Sequence, residues 1–196
     1  MPHHASRLPV WGLGCAGAVA SLAQGTELVR VRQAPILVVA AELCSVTFIT
    51  EDRSTTNLMS TSLFADGAAA VVLTPEGAGL EVVGGFSQLF DESDDIVAWD
   101  VVNEGLKVRL ARSTPRLVND YLLEVLQRGT CHYGLTPEAL RHYPLHPGGA
   151  KVLTAYQDAL ELPDGALEPA RGVLRDYGNM SSPTALFVLE RKTSPR

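Results

Sequence analysis

Three residues in this 196-residue sequence combine a chemically useful side chain with small or glycine-bearing surroundings: Cys15, His146 and Asn179. Cys15 lies in GLGCAGAVASLAQG, where an alanine-rich helical pattern begins. A helix N-terminus can make a thiol nucleophilic, because the partial positive charge there stabilises the thiolate. The neighbours Gly14, Ala16 and Gly17 would let a carbonyl group and backbone N–H groups come close to the sulfur. Cysteine is also among the most often buried residue types, so a packed core thiol is the competing reading.

His146 stands in His-Pro-Gly-Gly ahead of a helical segment. Pro147 restricts the backbone there, and Gly148 and Gly149 leave space beside the imidazole. A structural or surface histidine is the alternative. His142, four residues earlier, could share a helix face with His146 as a metal pair, but no third ligand is evident. Asn179, in Tyr-Gly-Asn-Met-Ser-Ser, is either a turn former or cap, or a neutral donor to a developing oxyanion.

These residues need elements to hold them. RLPVWGL reads as a short strand leading to Cys15, and the segment from Ala16 to about Arg30 reads as a helix with Val19, Leu22, Ala23 and Leu28 near one face. After the break at Gln33-Ala34-Pro35, the continuous apolar run ILVVAAE suits a strand buried on both faces. That order predicts an α/β layer protein. Asn57 to Leu63 is helix-like, Ala65-Asp66-Gly67 is a turn, and AAAVVLT is another buried strand. LEVVGGFSQLF and IVAWDVVNEGLKVRLA alternate like strands of an antiparallel meander, with the acidic DESDD turn between them. TPRLVNDYLLEVLQRG is a helix with Pro115 near its start and Leu117, Tyr121, Leu122, Val125 and Leu126 on one face. Short helices are expected from Thr136-Pro137 through Leu140, over AKVLTAYQDALEL and over LEPARGVLRDYG. TALFVLERK fits helix and strand equally.

With 46% hydrophobic residues the chain can bury a substantial core. Its formal charge of -6, without a Lys/Arg cluster, argues against nucleic acid or anionic lipid as a partner. The apolar runs fall short of the roughly 20 residues of a membrane span, and MPHHASRLPV lacks the pattern of a secretory signal. A cytoplasmic location is therefore expected. Three widely spaced cysteines, Cys15, Cys44 and Cys131, argue against a disulfide framework and for free thiols in a reducing compartment.

Taken together and in order, the glycine-flanked cysteine, Leu-Phe-Ala-Asp-Gly-Ala-Ala-Ala, His-Pro-Gly-Gly and Tyr-Gly-Asn-Met-Ser-Ser resemble the type III polyketide synthases, the chalcone and stilbene synthase family. The similarity runs from about Val10 to Lys192. Ketoacyl synthase III relatives typically carry Pro-His-Gln-Ala-Asn around the histidine, which is absent here. The resemblance implies a thiolase-like α/β fold and a Cys15, His146, Asn179 triad. It further implies CoA thioesters as substrates, namely a starter acyl-CoA and malonyl-CoA, with no metal or redox cofactor and a homodimeric assembly. Phe64 matches an aromatic between the CoA tunnel and the reaction cavity, though a core phenylalanine is equally open. Val108 stands where plant enzymes commonly have phenylalanine, which suggests a differently shaped cavity. Gly148 and Gly149 would border the substrate, and Lys151 would either meet a CoA phosphate or be an ordinary exposed helix lysine.

Family members are considerably longer, chiefly before Cys15, and their glycine-rich C-terminal loop is missing after Lys192. Ala18 replaces a second glycine common near the cysteine. The expectation is an incomplete N-terminal thiolase-like half over 1–74 and most of the C-terminal half over 75–196. Besides a condensing enzyme, the sequence allows a catalytically silent fragment or pseudo-subunit, or a ketoacyl synthase III-like enzyme.

Overall fold

The structure, a computed structural model, describes residues 3–193. A 3-10 turn, Gly14–Ala16, leads directly into helix α1, Gly17–Arg32. Gln33 then adopts a left-handed conformation with φ 50°, and its N–H closes the helix on the Val29 carbonyl at 2.9 Å. Strand β1, Ile36–Glu42, pairs antiparallel with β2, Gly67–Leu73, and Val38 lies opposite Val71. Helix α2, Thr55–Leu63, lies between them in sequence, and the Ser54 hydroxyl caps it by accepting from the Asn57 N–H at 3.2 Å. Strands β3, Val97–Val102, and β4, Gly105–Leu110, form a second antiparallel pair. Four helices complete the described chain: α3, Thr114–His132; α4, Ala150–Ala159; α5, Glu168–Tyr177; and α6, Pro183–Thr193.

Helices α1 and α6 pack on one face of the β1–β2 sheet, where Ala18, Ala40 and Leu186 form a small core with Leu22, Ala69 and Val71. The main core lies beside it. There Leu153 of α4, Val173 of α5 and Val188 of α6 close around Leu162, Leu167 and Met180. Helix α6 serves both cores, which explains why TALFVLERK carries no clear stripe: Pro183 through Leu186 are all buried.

Several expectations are corrected. RLPVWGL forms no strand, and Trp11 is 85% exposed, because no neighbouring strand takes up its backbone among the described residues. LEVVGGFSQLF is likewise not a strand. Some of its carbonyls accept from side chains instead, with Arg30 donating to Val83 at 2.6 Å and Tyr133 to Gly85 at 2.7 Å. Strands β1 and β2 are buried on one face only: Val38 and Ala40 are inside, whereas Val39 and Val72 are each 61% exposed. The expected helix from Thr136 to Leu140 shrinks to the 3-10 turn Pro137–Ala139.

Candidate active site

Asn179 is held by the backbone before its side chain does anything. Gly178, just past α5, has φ 72°, and this turn sets Asn179 beside the end of α2. The Asn179 N–H donates to the Leu63 carbonyl at 2.9 Å, and the Ala65 N–H donates to the Asn179 carbonyl at 2.9 Å. Phe64 thus forms a single parallel bridge with Asn179. A Cβ on Gly178 would stand 3.1 Å from the Leu63 oxygen, in a backbone region that disfavours side chains. Gly178→Ala is expected to destabilise the protein by about 1–3 kcal/mol, read as a lower thermal midpoint.

The Asn179 carboxamide, 1% exposed, is pinned at both ends. Its Oδ1 accepts from the Ser181 N–H at 2.8 Å, and its Nδ2 donates to the Gly148 carbonyl at 3.3 Å. Because both partners are backbone groups, the orientation of the amide is fixed by their chemistry. One Nδ2 hydrogen remains for another acceptor.

Cys15 lies at the centre of the 3-10 turn that precedes α1, and its Sγ is 4.0 Å from Asn179 Oδ1. Two chain segments 164 residues apart therefore meet at this sulfur. The expectation of a thiol lowered by the helix end is corrected. Burial pushes the Cys15 thiol up, and the Ser181 and Asn179 side chains offset only part of that, while Glu42 adds to it. Cys44, nearby at the end of β1, is pushed up to about 11 by burial and by the negative charge of Glu42. Both shifts favour the protonated thiol over the thiolate. All three cysteines are free, and Cys131 is exposed.

His146 precedes Pro147, whose side chain is fully buried, and Gly148, whose carbonyl holds Asn179. Both imidazole nitrogens are buried, and neither has a hydrogen-bond partner among the described residues. Burial pulls the ring down to about 4, so it is neutral at pH 7. A neutral imidazole can accept one proton and donate another, which suits it to a thiol that starts protonated.

The structure gathers Cys15, Asn179, Gly148 and Phe64 through direct bonds, with His146 two residues from Gly148. It does not join the others to them. Val108 sits on β4 opposite Trp99, and Lys151 is exposed in the first turn of α4. Gly149 precedes α4, and its carbonyl accepts the first helical bonds from Val152 and Leu153 at 3.1 Å. An open hollow of about 510 Å³ beside Phe86, Gln127 and Cys131 lies apart from these residues. Reading the sequence missed Ser181 as a partner of Asn179, and it missed Glu42, whose Oε1 accepts from the Ser182 hydroxyl at 2.6 Å. A signal existed in each case: two serines follow Asn179, and one carboxylate ends an otherwise apolar strand. Tyr156 of α4, pushed up to about 12 by burial and within electrostatic range of Cys15, left no such trace.

Residues 81–194 match the family model for chalcone and stilbene synthases, C-terminal domain. The chain belongs to the chalcone and stilbene synthase family. Residues 12–88 match the model for 3-oxoacyl-[acyl-carrier-protein] synthase III. Among curated proteins, a putative chalcone synthase of Bacillus subtilis is 38% identical, and the match covers 95% of this chain and 54% of that one. A 1,3,6,8-tetrahydroxynaphthalene synthase of Streptomyces peucetius is 37% identical over 94% of this chain and 50% of its own length. The crystal structure of the 1,3,6,8-tetrahydroxynaphthalene synthase of Streptomyces coelicolor, a bacterial type III polyketide synthase, superposes with a TM-score of 0.88 at 28% identity. That match covers 94% of this chain and 53% of that one. This chalcone and stilbene synthase family chain thus has the thiolase-like α/β fold of its relatives, and it spans about half the length of the curated ones it matches. No helix among the described residues is long and apolar enough to cross a membrane.

Proposed function

We propose that this chain carries the nucleophile, the histidine and the asparagine of an acyltransferase that makes polyketides by decarboxylative Claisen condensation. The observation that carries this reading is the Asn179 carboxamide, pinned by Ser181 and Gly148, with the Cys15 sulfur 4.0 Å from its Oδ1. In the first half-reaction Cys15 Sγ attacks the carbonyl carbon of a starter acyl-CoA while His146 takes the thiol proton, and the CoA thiolate leaves with a proton from His146. In the second, malonyl-CoA loses carbon dioxide, and hydrogen bonds from Asn179 Nδ2 and His146 stabilise the resulting enolate oxygen. The enolate carbon attacks the Cys15 thioester, and Cys15 leaves as a thiolate that regains its proton from solvent through His146. The scheme asks for no metal and no redox cofactor. Phe64, Val108, Gly148, Gly149 and Lys151 would border the acyl chain and the CoA arm, within a protein that works as a cytoplasmic homodimer. Segment 1–74 would supply the nucleophile, and 75–196 the histidine and asparagine.

The test is to incubate the protein with a starter acyl-CoA and malonyl-CoA, and to look for acylated Cys15 by peptide mass spectrometry, carbon dioxide release and chain-extended product. Absence of all three would overturn the assignment. The match of residues 12–88 makes acyl carrier protein the competing donor, so the same assay is run with acyl-carrier-protein thioesters. A second reading also has support. Leu37, Val39 and Val72 form an apolar sheet face 49–61% exposed, as expected for a silent subunit that needs further polypeptide to cover it. An aggregated protein with an unreactive Cys15 would favour that reading.

A further inference from the structure

The β3–β4 hairpin, which carries Val108, is fastened to the start of the helix that leads to Phe64. Lys107 and Asp100 stand opposite each other across the hairpin, but Arg109 takes Asp100 and also pairs with Asp95. Lys107 is left to reach off the hairpin, and its Nζ lies 2.9 Å from Asp52 Oδ2. The receiving carboxylate is built into the chain just before α2. Asp52 Oδ1 accepts from the Ser54 N–H at 2.8 Å. The Asp52 and Ile49 carbonyls accept from Nδ2 of the buried Asn57 at 2.8 and 2.9 Å, which uses both of its hydrogens. The Asp52 side chain is 15% exposed against 41% for Lys107, so the pair is only partly open to screening by salt.

Among the described residues this is the one ion pair or hydrogen bond that joins the hairpin to a segment beyond its own flanks. The others, Arg109 with Asp95 and the Ala111 N–H to the Ile96 carbonyl at 2.8 Å, stay within residues 95–111. Strand β4 packs against α2 and against the 3-10 turn Cys44–Thr47, while Val97, Trp99 and Val101 of β3 are 42–84% exposed. An element covered this thinly opens locally at low cost, so one ion pair can decide how closely it sits. The far end of α2 is fixed separately, since Phe64 is bridged to Asn179. We infer that Lys107 and Asp52 are positioning residues: their ion pair straps the hairpin to α2, sets the width of the passage between Val108 and Phe64, and so limits the size of acyl group that reaches Cys15. Neither residue needs to touch the substrate. The inference rests on the proposed reading that Val108 and Phe64 border the acyl chain and the CoA arm.

The experiment reads the width of the passage without requiring catalysis. Cys15 is alkylated with N-methylmaleimide and with the bulkier N-cyclohexylmaleimide, and each adduct is quantified by peptide mass spectrometry. Amide hydrogen exchange over residues 97–110 is followed in the same proteins. Lys107→Met keeps an unbranched apolar stem and removes the charge, and Asp52→Asn keeps an acceptor for the Ser54 N–H. Each should speed exchange in the hairpin and lower the ratio of small-reagent to large-reagent rates about fivefold, the scale of one partly exposed ion pair. Lys107→Arg should behave as the wild type. The double variant should shift no further than either single one, since both substitutions remove the same pair. A wild-type ratio in Lys107→Met would overturn the inference, even with a lowered thermal midpoint, and so would a Cys15 closed to both reagents in every variant. Alkylation needs no thioester, so a shifted ratio without loading from acyl-CoA would sink the proposed activity and leave the strap standing.

Discussion

Replacing Cys15 by alanine is expected to abolish acyl-enzyme formation with a starter acyl-CoA, to below about one thousandth of the wild-type level. The argument is about atoms. Condensation needs the acyl group parked as a thioester on the protein while the enolate forms, and Cys15 Sγ is the sulfur that meets Asn179. Alanine keeps the small volume, and the thiol's polar partners are limited to the long contact to Asn179 and the Ser181 side chain. The variant should therefore fold, with a thermal midpoint close to wild type. Cys131, exposed on α3, gives the control: Cys131→Ala should load as the wild type does. Decarboxylation separates the roles further. Malonyl-CoA can lose carbon dioxide without an acyl-enzyme, so Cys15→Ala should retain this activity if Asn179 and His146 stabilise the enolate by themselves. Undiminished acylation in Cys15→Ala would show that another nucleophile carries the chain.

How much of this was readable beforehand depends on whether the signal was local. Helix α1 was legible because Gly17–Arg32 has a helix-forming composition and a break at Gln33 to Pro35. The β3–β4 hairpin was legible from its alternation, and α3 from Pro115 and its apolar stripe. LEVVGGFSQLF has the same alternation and is not a strand, because alternation cannot reveal whether a partner exists. There Gly84 and Gly85 admit Tyr133 and Ala23 at distances that a Cβ would forbid, and side chains take some of the carbonyls instead. The site divides in the same way. Motif order singled out Cys15, His146 and Asn179, and the structure brings Cys15 to Asn179, whereas the ionisation of these groups left no trace in the sequence. The helix-end argument gave a lowered thiol, yet burial and the Glu42 charge, delivered from another element, set the opposite direction. Charge states depend on which surfaces the fold removes from water, and no stretch of sequence around Cys15 contains that information.

That dependence gives His146 the most distinctive expected behaviour in the molecule. His146→Leu should lower enolate formation and acyl transfer by about a hundred- to ten-thousand-fold, since it removes both a proton acceptor and a donor. It should nevertheless leave the protein as stable as the wild type or more so at pH 7, by about 1 kcal/mol. Two buried ring nitrogens without partners cost free energy that an apolar side chain of similar size avoids. The pH dependence adds an independent signature. The ring titrates at about 4 when folded against an ordinary value of 6.5, so the unfolded chain binds the extra proton between those values. The sign follows: stability from this group is fully present above about pH 6.5 and is lost as pH falls toward 4, by about 3 kcal/mol in all. Urea melts at pH 7 and pH 4.5 should therefore differ less in His146→Leu than in the wild type. A variant that is inactive, at least as stable at neutral pH and less sensitive to acid has lost a group kept for chemistry at a cost to folding. A variant strongly destabilised at pH 7, with the acid sensitivity unchanged, would instead identify His146 as a packing residue and remove it from the reaction.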